Sequence, residues 1–127
     1  MKVFVYGTLK EGYGNNRLLS KSTKVDDVVM SGFSAVFSFG DGGFPVAFPK
    51  EGEGLSGEVW DISGPSEEET LARLDSLEGE GYMYHRKFNN EIGAYYYEGG
   101  KGWDLEKLTE VPVRDTDNAR TWGRTDA

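Results

Sequence analysis

Short runs of apolar and β-branched residues, separated by glycine-containing turns, set the hydrophobic pattern of this chain of 127 residues. Residues 3–5 are two valines and one phenylalanine, which predicts a short buried strand. Residues 25–30 are rich in valine and predict a second strand. In residues 33–39 phenylalanine and alanine alternate with serine and valine, which is typical of a strand with one face in the core.

The stretch from residue 44 to residue 62 predicts two further extended segments. Residues 44–49 contain Pro45 and Pro49, which donate no ladder hydrogen bonds, so this segment is expected at a sheet edge or as an irregular extended stretch. Residues 55–62 predict a regular strand. Within it Glu58 alternates with its neighbours, so its side chain is expected to face solvent.

The one clear helical pattern covers residues 66–78. Ser66 and Glu69 have the spacing of a capping box, and Gly79 is a typical residue to end the helix. The expected apolar face consists of three leucines, Leu71, Leu74 and Leu77. Since residues advance by about 100° each, Glu78 falls on this apolar face, between the first two leucines.

Two shorter elements are also predicted. Asn15 or Asn16 is a candidate cap for a short N-terminal helix. Residues 82–88 and 92–97 predict a β-hairpin whose turn is Asn89-Asn90.

The glycine content agrees with a fold of many short strands, because 18 glycines lie between the strand-like segments without a fixed period. The pattern predicts an α+β fold: a small mixed β-barrel with one main amphipathic helix and a short N-terminal helix. Residues 111–113 predict a last short strand. The length fits a single domain over residues 1–127, in which about 114–127 is expected to be a loosely ordered tail.

Charge and residue content exclude several classes of function. The net charge of −8 disfavours a nucleic-acid partner, because the phosphate backbone would be repelled. The chain has no cysteine and one histidine, so a thiol nucleophile, a disulfide or a multi-histidine metal site is excluded, and no cofactor is expected. No signal peptide or membrane-spanning run is visible, which predicts a cytoplasmic protein without a membrane partner. The pattern specifies no oligomeric state.

The loop after the first strand, Tyr6-Gly7-Thr8-Leu9, is a candidate binding site. Glycine ends the apolar run and permits a tight loop with free backbone N–H groups, while Leu9 can turn back to the core. Such N–H groups suit a carboxylate or a developing oxyanion. The alternative is a strand followed by an ordinary turn.

Glu78 is a candidate general base. Its carboxylate is expected at the C-terminal end of a helix, on the side that faces the core. Burial and the negative end of the helix dipole both disfavour the charged form, and both raise the pKa toward what a base near neutral pH requires. The alternative is a glutamate that bends to solvent or is hydrogen-bonded for structural reasons.

Three motifs occur in order along the chain. They are Phe4-Val5-Tyr6-Gly7-Thr8-Leu9-Lys10, then Gly57-Glu58-Val59, then Leu74-Asp75 followed by Glu78-Gly79, Tyr84 and Arg86. Together they resemble the γ-glutamylcyclotransferase-like family, which includes the AIG2-like and γ-glutamylamine cyclotransferase proteins. The resemblance extends from residue 3 to about residue 88. Residues 12–19 also resemble the family, except that Asn16 stands where the family usually has histidine.

The resemblance implies release of 5-oxoproline from a γ-glutamyl compound, either a γ-glutamylamine, which is preferred, or a γ-glutamyl amino acid. The substrate's α-amine attacks its own γ-carbonyl, and the amine on the far side leaves. The implied roles are general acid/base for Glu78 and substrate binding for Tyr6, Gly7, Thr8, Leu9 and Tyr84, with packing as the alternative for Tyr84. A non-catalytic module that binds a small ligand or a protein on the same fold is the alternative function.

Overall fold

The computed structural model describes residues 1–7, 9–37, 45–78, 84–99 and 109–110. Within elements, the side chains of Val36, Phe37, Pro45, Glu78, Thr109 and Glu110 lie outside the description. The strands are β1 (Lys2–Val5), β2 (Thr23–Phe37), β3 (Pro45–Asp61), β4 (Tyr84–Asn89), β5 (Ala94–Gly99) and β6 (Thr109–Glu110). The helices are a 3₁₀ helix over Gly14–Leu19 and the α-helix α1 over Glu67–Glu78.

The strands form one mixed sheet in the order β4-β5-β1-β3-β2-β6. β1 is antiparallel to β3, and its last residue, Val5, lies opposite Glu58. On its other side β1 is parallel to β5, with Val3 opposite Tyr95. The strand that leads into the candidate binding loop is therefore held on both sides.

The α+β class and the short N-terminal helix are confirmed. β3 pairs with β5 as well as with β1, since Ala47 lies opposite Glu98, and this bends the sheet across the three strands. The predicted closed barrel is not confirmed, because β4 and β6 end the strand order and do not pair with each other within the described residues.

β2 and β3 are each longer than the sequence pattern predicts. The separate strands expected at 25–30 and 33–39 belong to one strand, β2, as far as its last described residue at 37. Its register shifts between Ser31 and Phe33, where Gly32 has φ +79°. Because glycine adopts a positive φ without steric cost, the chain bends at this bulge and continues as a strand.

The prediction that residues 44–49 form an edge or irregular segment is wrong for the described residues from 45 onward. Ala47 pairs with β2 on one side and with β5 on the other. Its N–H points away from β2, since it donates to the Tyr6 hydroxyl at 3.1 Å. N–H groups alternate in direction along a strand, so the nitrogens of Pro45 and Pro49 also point away from β2 and remove no bond from that ladder.

Alternation along β1 divides the core into two clusters. Val3 and Val5 belong to the first, together with Leu9, Leu19, Val46, Trp60, Ile62, Leu74, Tyr84 and Tyr97. Phe4 and Tyr6 belong to the second, together with Met30, Ala35, Ala47, Leu55, Val59, Ala94 and Tyr96. A continuous apolar run is what a strand covered on both faces requires, so the prediction of a buried first strand is confirmed.

The apolar face of α1 is narrower than predicted. Leu74 is fully buried and Leu71 packs against the first cluster, but Leu77 is 40% exposed. Steps of three residues each drift back by about 60°, so Leu77 lies about 120° from Leu71 around the helix axis. The third leucine therefore does not belong to the face that packs on the sheet.

The predicted capping box does not form at the start of α1. Ser66 accepts the Thr70 N–H through its main-chain oxygen at 2.8 Å, and the Glu69 carboxylate pairs with Arg73 at 2.6 Å. The helix begins at Glu67, whose carboxylate lies 2.8 Å from the ammonium group of Met1. An acidic first turn near the positive end of the helix dipole is still stabilising.

The predicted hairpin is confirmed as β4 and β5, but its turn is displaced to residues 90–93. The Asn89 side-chain oxygen accepts the N–H groups of Glu91 at 2.9 Å and Ile92 at 3.2 Å, and Gly93 has φ +67°. The predictions for residues 38–39, 44, 79, 82–83, 111–113 and 114–127 lie outside the described residues. Within the described part of the chain, no helix combines the length and apolar character needed to cross a membrane.

Candidate functional site

The loop that follows β1 is a series of tight turns. The N–H of Lys10 donates to the Gly7 oxygen at 3.1 Å, and the N–H of Tyr13 donates to the Lys10 oxygen at 3.1 Å. Each bond closes a turn of four residues, so the backbone from Gly7 onward coils without joining a sheet. Thr8, at the centre of the first turn, lies outside the described residues.

Leu9 anchors this loop in the core. It is buried, in agreement with the prediction, and it shares the first core cluster with Leu74 of α1 and Tyr84 of β4. The Leu9 oxygen accepts the side-chain N–H of Asn16 at 2.8 Å. A side chain in the following helix therefore supports the main chain of the candidate binding loop.

The prediction that Asn15 or Asn16 caps the short helix is wrong. The 3₁₀ helix begins at Gly14 with Tyr13 as its N-cap, so both asparagines lie inside it. Asn16 instead uses its amide on Leu9. The sequence correctly indicated that an asparagine side chain forms a local hydrogen bond. In the folded chain that bond goes to the Leu9 oxygen of the candidate binding loop and not to the start of the helix.

The Tyr6 side chain joins three strands rather than facing a ligand. It is buried, and its hydroxyl donates to the Tyr97 oxygen of β5 at 2.6 Å. The same hydroxyl accepts the Ala47 N–H of β3 at 3.1 Å. What Tyr6 can offer to a substrate is therefore its main chain, which stands where β1 ends.

Glu58 is buried at 8% exposure, and the prediction that it faces solvent is wrong. One carboxylate oxygen, Oε1, accepts the main-chain N–H of Glu11 at 2.8 Å and the indole N–H of Trp60 at 3.1 Å. Trp60 is two residues further along β3, so both side chains lie on one face of the strand. The loop after β1 returns over this face and covers the carboxylate.

Gly57, the residue before Glu58, allows β3 to approach β1 closely. A Cβ atom at this position would lie 2.5 Å from the Phe4 ring and 2.6 Å from the Val5 oxygen. Both distances are too short for a carbon contact, and the Val5 oxygen belongs to the main chain. The glycine of the Gly57-Glu58-Val59 motif therefore serves packing beside the start of the loop.

Lys24 lies between two carboxylates on the sheet surface. Its Nζ is 3.1 Å from Asp27 and 3.7 Å from Glu58. The hydrogen bond to Asp27 and the negative charges of Glu58, Asp27 and Glu11 raise the pKa of Lys24, although burial opposes them. Lys24 is therefore protonated near neutral pH and partly balances the charge of Glu58.

A second polar cluster fixes the last turn of α1. Asp75 accepts the Tyr97 hydroxyl at 2.7 Å through Oδ1 and pairs with Arg86 through Oδ2. The bond to Asp75 raises the pKa of Arg86 despite partial burial. Glu78 lies three residues after Asp75, which places it one turn further along the same side of the helix.

Asp75 and Arg86 belong to a motif in the sequence, but the motif does not indicate that they contact each other. Their opposite charges are the feature of the sequence that could have indicated this ion pair. Arg86 also lies two residues after Tyr84, so both side chains project from the same face of β4. The third member, Tyr97, comes from the other strand of the hairpin, in register with Arg86.

The predicted site residues are placed as follows. Tyr84 is 5% exposed in the first core cluster, which agrees with the packing alternative and leaves a role for its hydroxyl as a prediction. Glu78 is the last residue of α1, but its side chain and Thr8 lie outside the described residues. The structure does bring together the loop after β1, the helix α1 and the strand β4, because Leu9, Leu74 and Tyr84 share the first core cluster.

Comparison with known proteins agrees with the motifs. A family model described as "Gamma-glutamyl cyclotransferase, AIG2-like" matches residues 3–116, well beyond the motifs recognised in the sequence. The γ-glutamylcyclotransferase family protein YtfP of Escherichia coli (strain K12) is 32% identical over 87 residues, which cover 68% of this chain and 70% of YtfP.

Solved structures share the fold. The crystal structure of an AIG2-like protein from Mus musculus has a TM-score of 0.68 at 22% identity and covers 98% of this chain and 96% of the mouse chain. The solution structure of YtfP from Escherichia coli has a TM-score of 0.67 at 24% identity and covers 100% of both chains. On the family match and the similarity to YtfP, this chain belongs to the AIG2-like γ-glutamyl cyclotransferase family.

Proposed function

We propose that this protein releases 5-oxoproline from a γ-glutamyl compound, with a γ-glutamylamine as the preferred substrate. The observation that carries the proposal is the shared burial of Leu9, Leu74 and Tyr84. These residues come from the loop after β1, from α1 and from β4, which are the elements that hold the proposed site residues. Family membership supports the same reaction class.

The chemistry requires no nucleophile from the protein. The lone pair of the substrate's α-amine attacks the γ-carbonyl carbon, and the new C–N bond closes a five-membered lactam. The C–N bond to the departing amine then breaks, and the proton lost by the attacking nitrogen is returned to the leaving one. The protein must fold the substrate, move that proton and stabilise the oxyanion.

Glu78 is the proposed general acid/base. Its support is its position at the end of α1, one turn after Asp75. Asp75 is tied to β4 by Arg86 and to β5 by Tyr97, so this part of the helix is held against two strands. A group that transfers a proton must be kept within hydrogen-bond reach of the reacting nitrogen, and a fixed helix end serves that need.

The main chain of residues 6–9 is the proposed binding surface for substrate and oxyanion. Its support is the tight turn between Gly7 and Lys10 and the tethers through Tyr6 and Leu9. Donors fixed before the reaction require little rearrangement as negative charge develops. We assign the Tyr84 hydroxyl to substrate contact at the edge of the cluster that Tyr84 packs in.

Other sequence predictions complete the proposal. The substrate is a small molecule, and the net charge of −8 argues against a nucleic-acid partner. The pairing of β3 with both β1 and β5 supports a nearly closed barrel for the complete chain. A single domain over residues 1–127 and a cytoplasmic location are predictions from the sequence pattern.

The test is an assay of 5-oxoproline release with a panel of γ-glutamyl compounds. The panel includes γ-glutamyl-ε-lysine, γ-glutamyl dipeptides, the corresponding α-glutamyl dipeptides and an N-acetylated γ-glutamylamine. We expect product from γ-glutamyl compounds with a free α-amine and from no other member, because acetylation removes the attacking lone pair. Binding of γ-glutamyl compounds without product would contradict the proposal and support the non-catalytic alternative.

A further inference from the structure

Glu58 is a charged side chain in the interior that the proposed reaction does not use. Among the described residues it is the one buried residue with a charged side chain, and Val5, directly opposite it, ends β1. A carboxylate removed from water is costly unless it is paired and hydrogen-bonded. The contacts of Glu58 therefore indicate which part of the fold its carboxylate stabilises.

The two hydrogen-bond donors to Glu58 are neutral groups, and the Lys24 ammonium lies further away. Oε1 receives N–H bonds from Glu11 at 2.8 Å and from Trp60 at 3.1 Å, while the Lys24 ammonium is 3.7 Å from Oε2. Hydrogen bonds to a charged acceptor are stronger than those between neutral groups. The shortest contact is to the main chain of the loop, so the carboxylate acts on the loop's position.

Glu58 completes a set of three tethers on the candidate binding loop. The Tyr6 hydroxyl fixes the beginning of the loop to Tyr97, and Asn16 holds the Leu9 oxygen. Glu58 holds the N–H of Glu11, where the loop crosses β3. Gly7 and Leu9 thus lie between fixed points on both sides.

We infer that Glu58 is a positioning residue, which holds the Glu11 amide and thereby sets the place of the main chain at Tyr6, Gly7 and Leu9. The inference rests on the proposed function for its effect on turnover, but not for the tether itself. Oε1 already accepts two N–H groups and is covered by the loop, so Glu58 is not the base. Small displacement of binding groups lowers catalysis even when the reacting groups are intact.

The tether is tested first in the wild-type protein, without substrate. Amide hydrogen exchange of Glu11 is compared with that of Gly12, its exposed neighbour in the same loop. We expect Glu11 to exchange about ten- to hundredfold more slowly after correction for intrinsic rates, as a bond to a buried carboxylate implies. Equal protection of Glu11 and Gly12 would overturn the inference without any variant.

The second test compares Glu58→Met with Glu58→Gln. Methionine has similar length but accepts poorly, whereas glutamine keeps a carbonyl oxygen for both donors. We expect Glu58→Met to lose the Glu11 protection and at least about tenfold in kcat/KM. Glu58→Gln should restore most of both. Glu51→Met is the matched control, since Glu51 is an exposed glutamate on the same strand.

The pH profile separates positioning from a direct role in proton transfer. In Glu58→Met, kcat is expected to depend on pH as in the wild type, because the proposed base is retained. Unchanged kcat/KM in a folded Glu58→Met protein, or an altered pH dependence, would overturn the inference. If the wild type releases no 5-oxoproline, the proposed function fails, and the exchange measurements still decide whether Glu58 holds the loop.

Discussion

Glu58 and Asp75 satisfy their charges in different ways. The Glu58 side chain is 11% exposed and receives its close hydrogen bonds from a backbone amide and an indole. The Asp75 side chain is 29% exposed and pairs directly with Arg86, with the Tyr97 hydroxyl as a second donor. The deeper carboxylate therefore depends on fixed neutral dipoles, and the shallower one depends on a cation.

The two halves of the proposed site are therefore held in different ways. A backbone N–H has no alternative conformations of its own, so Glu58 fixes main chain directly, at the loop after β1. Arg86 has a long side chain, and its ion pair with Asp75 connects β4 to α1. This contact joins two side chains and does not involve the backbone hydrogen bonds of either element. The loop is thus positioned by a buried acceptor, and the end of α1 is positioned by a partly exposed ion pair.

The largest expected effect concerns Glu78, the proposed general acid/base. Glu78→Gln keeps nearly the same shape, so the protein should fold as the wild type does. We expect kcat to fall by about 10² or more, the order that positioned general acid–base catalysis contributes. Release of 5-oxoproline and thermal melting are measured together, with Glu68→Gln as an exposed control on the same helix. Near wild-type turnover in folded Glu78→Gln would remove Glu78 from the mechanism.

The next prediction compares how much the contacts of Glu58 and those of Asp75 contribute to the free energy of unfolding. Glu58→Met leaves a backbone amide and the Trp60 indole without an acceptor, which should cost about 2–4 kcal/mol. Asp75→Asn keeps an acceptor for Tyr97 and weakens only the ion pair, which should cost about 1 kcal/mol. Urea denaturation of both variants measures the order, and a larger loss at Asp75 would reverse the comparison.

A smaller effect concerns the ionisation of Lys24, whose pKa is raised first by the hydrogen bond to Asp27. The stabilisation from a raised lysine pKa is present below the unfolded value of about 10.5 and is lost as pH rises through the folded value. We expect Asp27→Asn to lower the pKa of Lys24 more than Glu58→Gln does. NMR titration of the Lys24 side chain decides between them, and the opposite order would make Lys24 a principal partner of Glu58.

The smallest expected effect is that of chelators. The described residues contain no cluster of three or more histidine, cysteine, aspartate or glutamate side chains that could hold a metal ion. Since the whole chain has one histidine and no cysteine, we expect EDTA to leave 5-oxoproline release unchanged. Loss of activity in EDTA, with recovery on adding a divalent ion, would show that the carboxylates act as metal ligands and that the proposed mechanism is wrong.

Local patterns predicted those parts of the fold whose causes are local. The apolar run identified β1 and the leucine spacing identified α1, because side-chain direction repeats with a fixed period in strands and helices. The two extended segments on either side of Asn89-Asn90 identified the hairpin. The motifs also indicated the family. The predictions were less accurate near the ends of these elements, at Ser66, Leu77 and Asn89. There hydrogen bonds and packing decide where the helix or strand begins or ends.

The candidate site was only partly predictable for the same reason. The sequence indicated Tyr6 and Leu9, but the hydroxyl of Tyr6 binds Tyr97 and Ala47, which are 91 and 41 residues away. Asp75 and Arg86 were motif positions without a stated role, and their contact depends on how α1 crosses the hairpin. Contacts across such separations leave no periodic signal in the chain.

The side-chain direction of Glu58 has a local cause, whereas its burial depends on long-range packing. Alternation along β3 predicted correctly that Glu58 faces away from Gly57 and Val59, since side chains on a strand repeat every two residues. Whether that face meets water depends on the loop after β1, whose residue Glu11 is 47 positions away and covers the carboxylate. The two-residue repeat of a strand assigns each side chain to a face of the sheet. Which distant segment packs on that face, and so buries it, is decided by the tertiary structure.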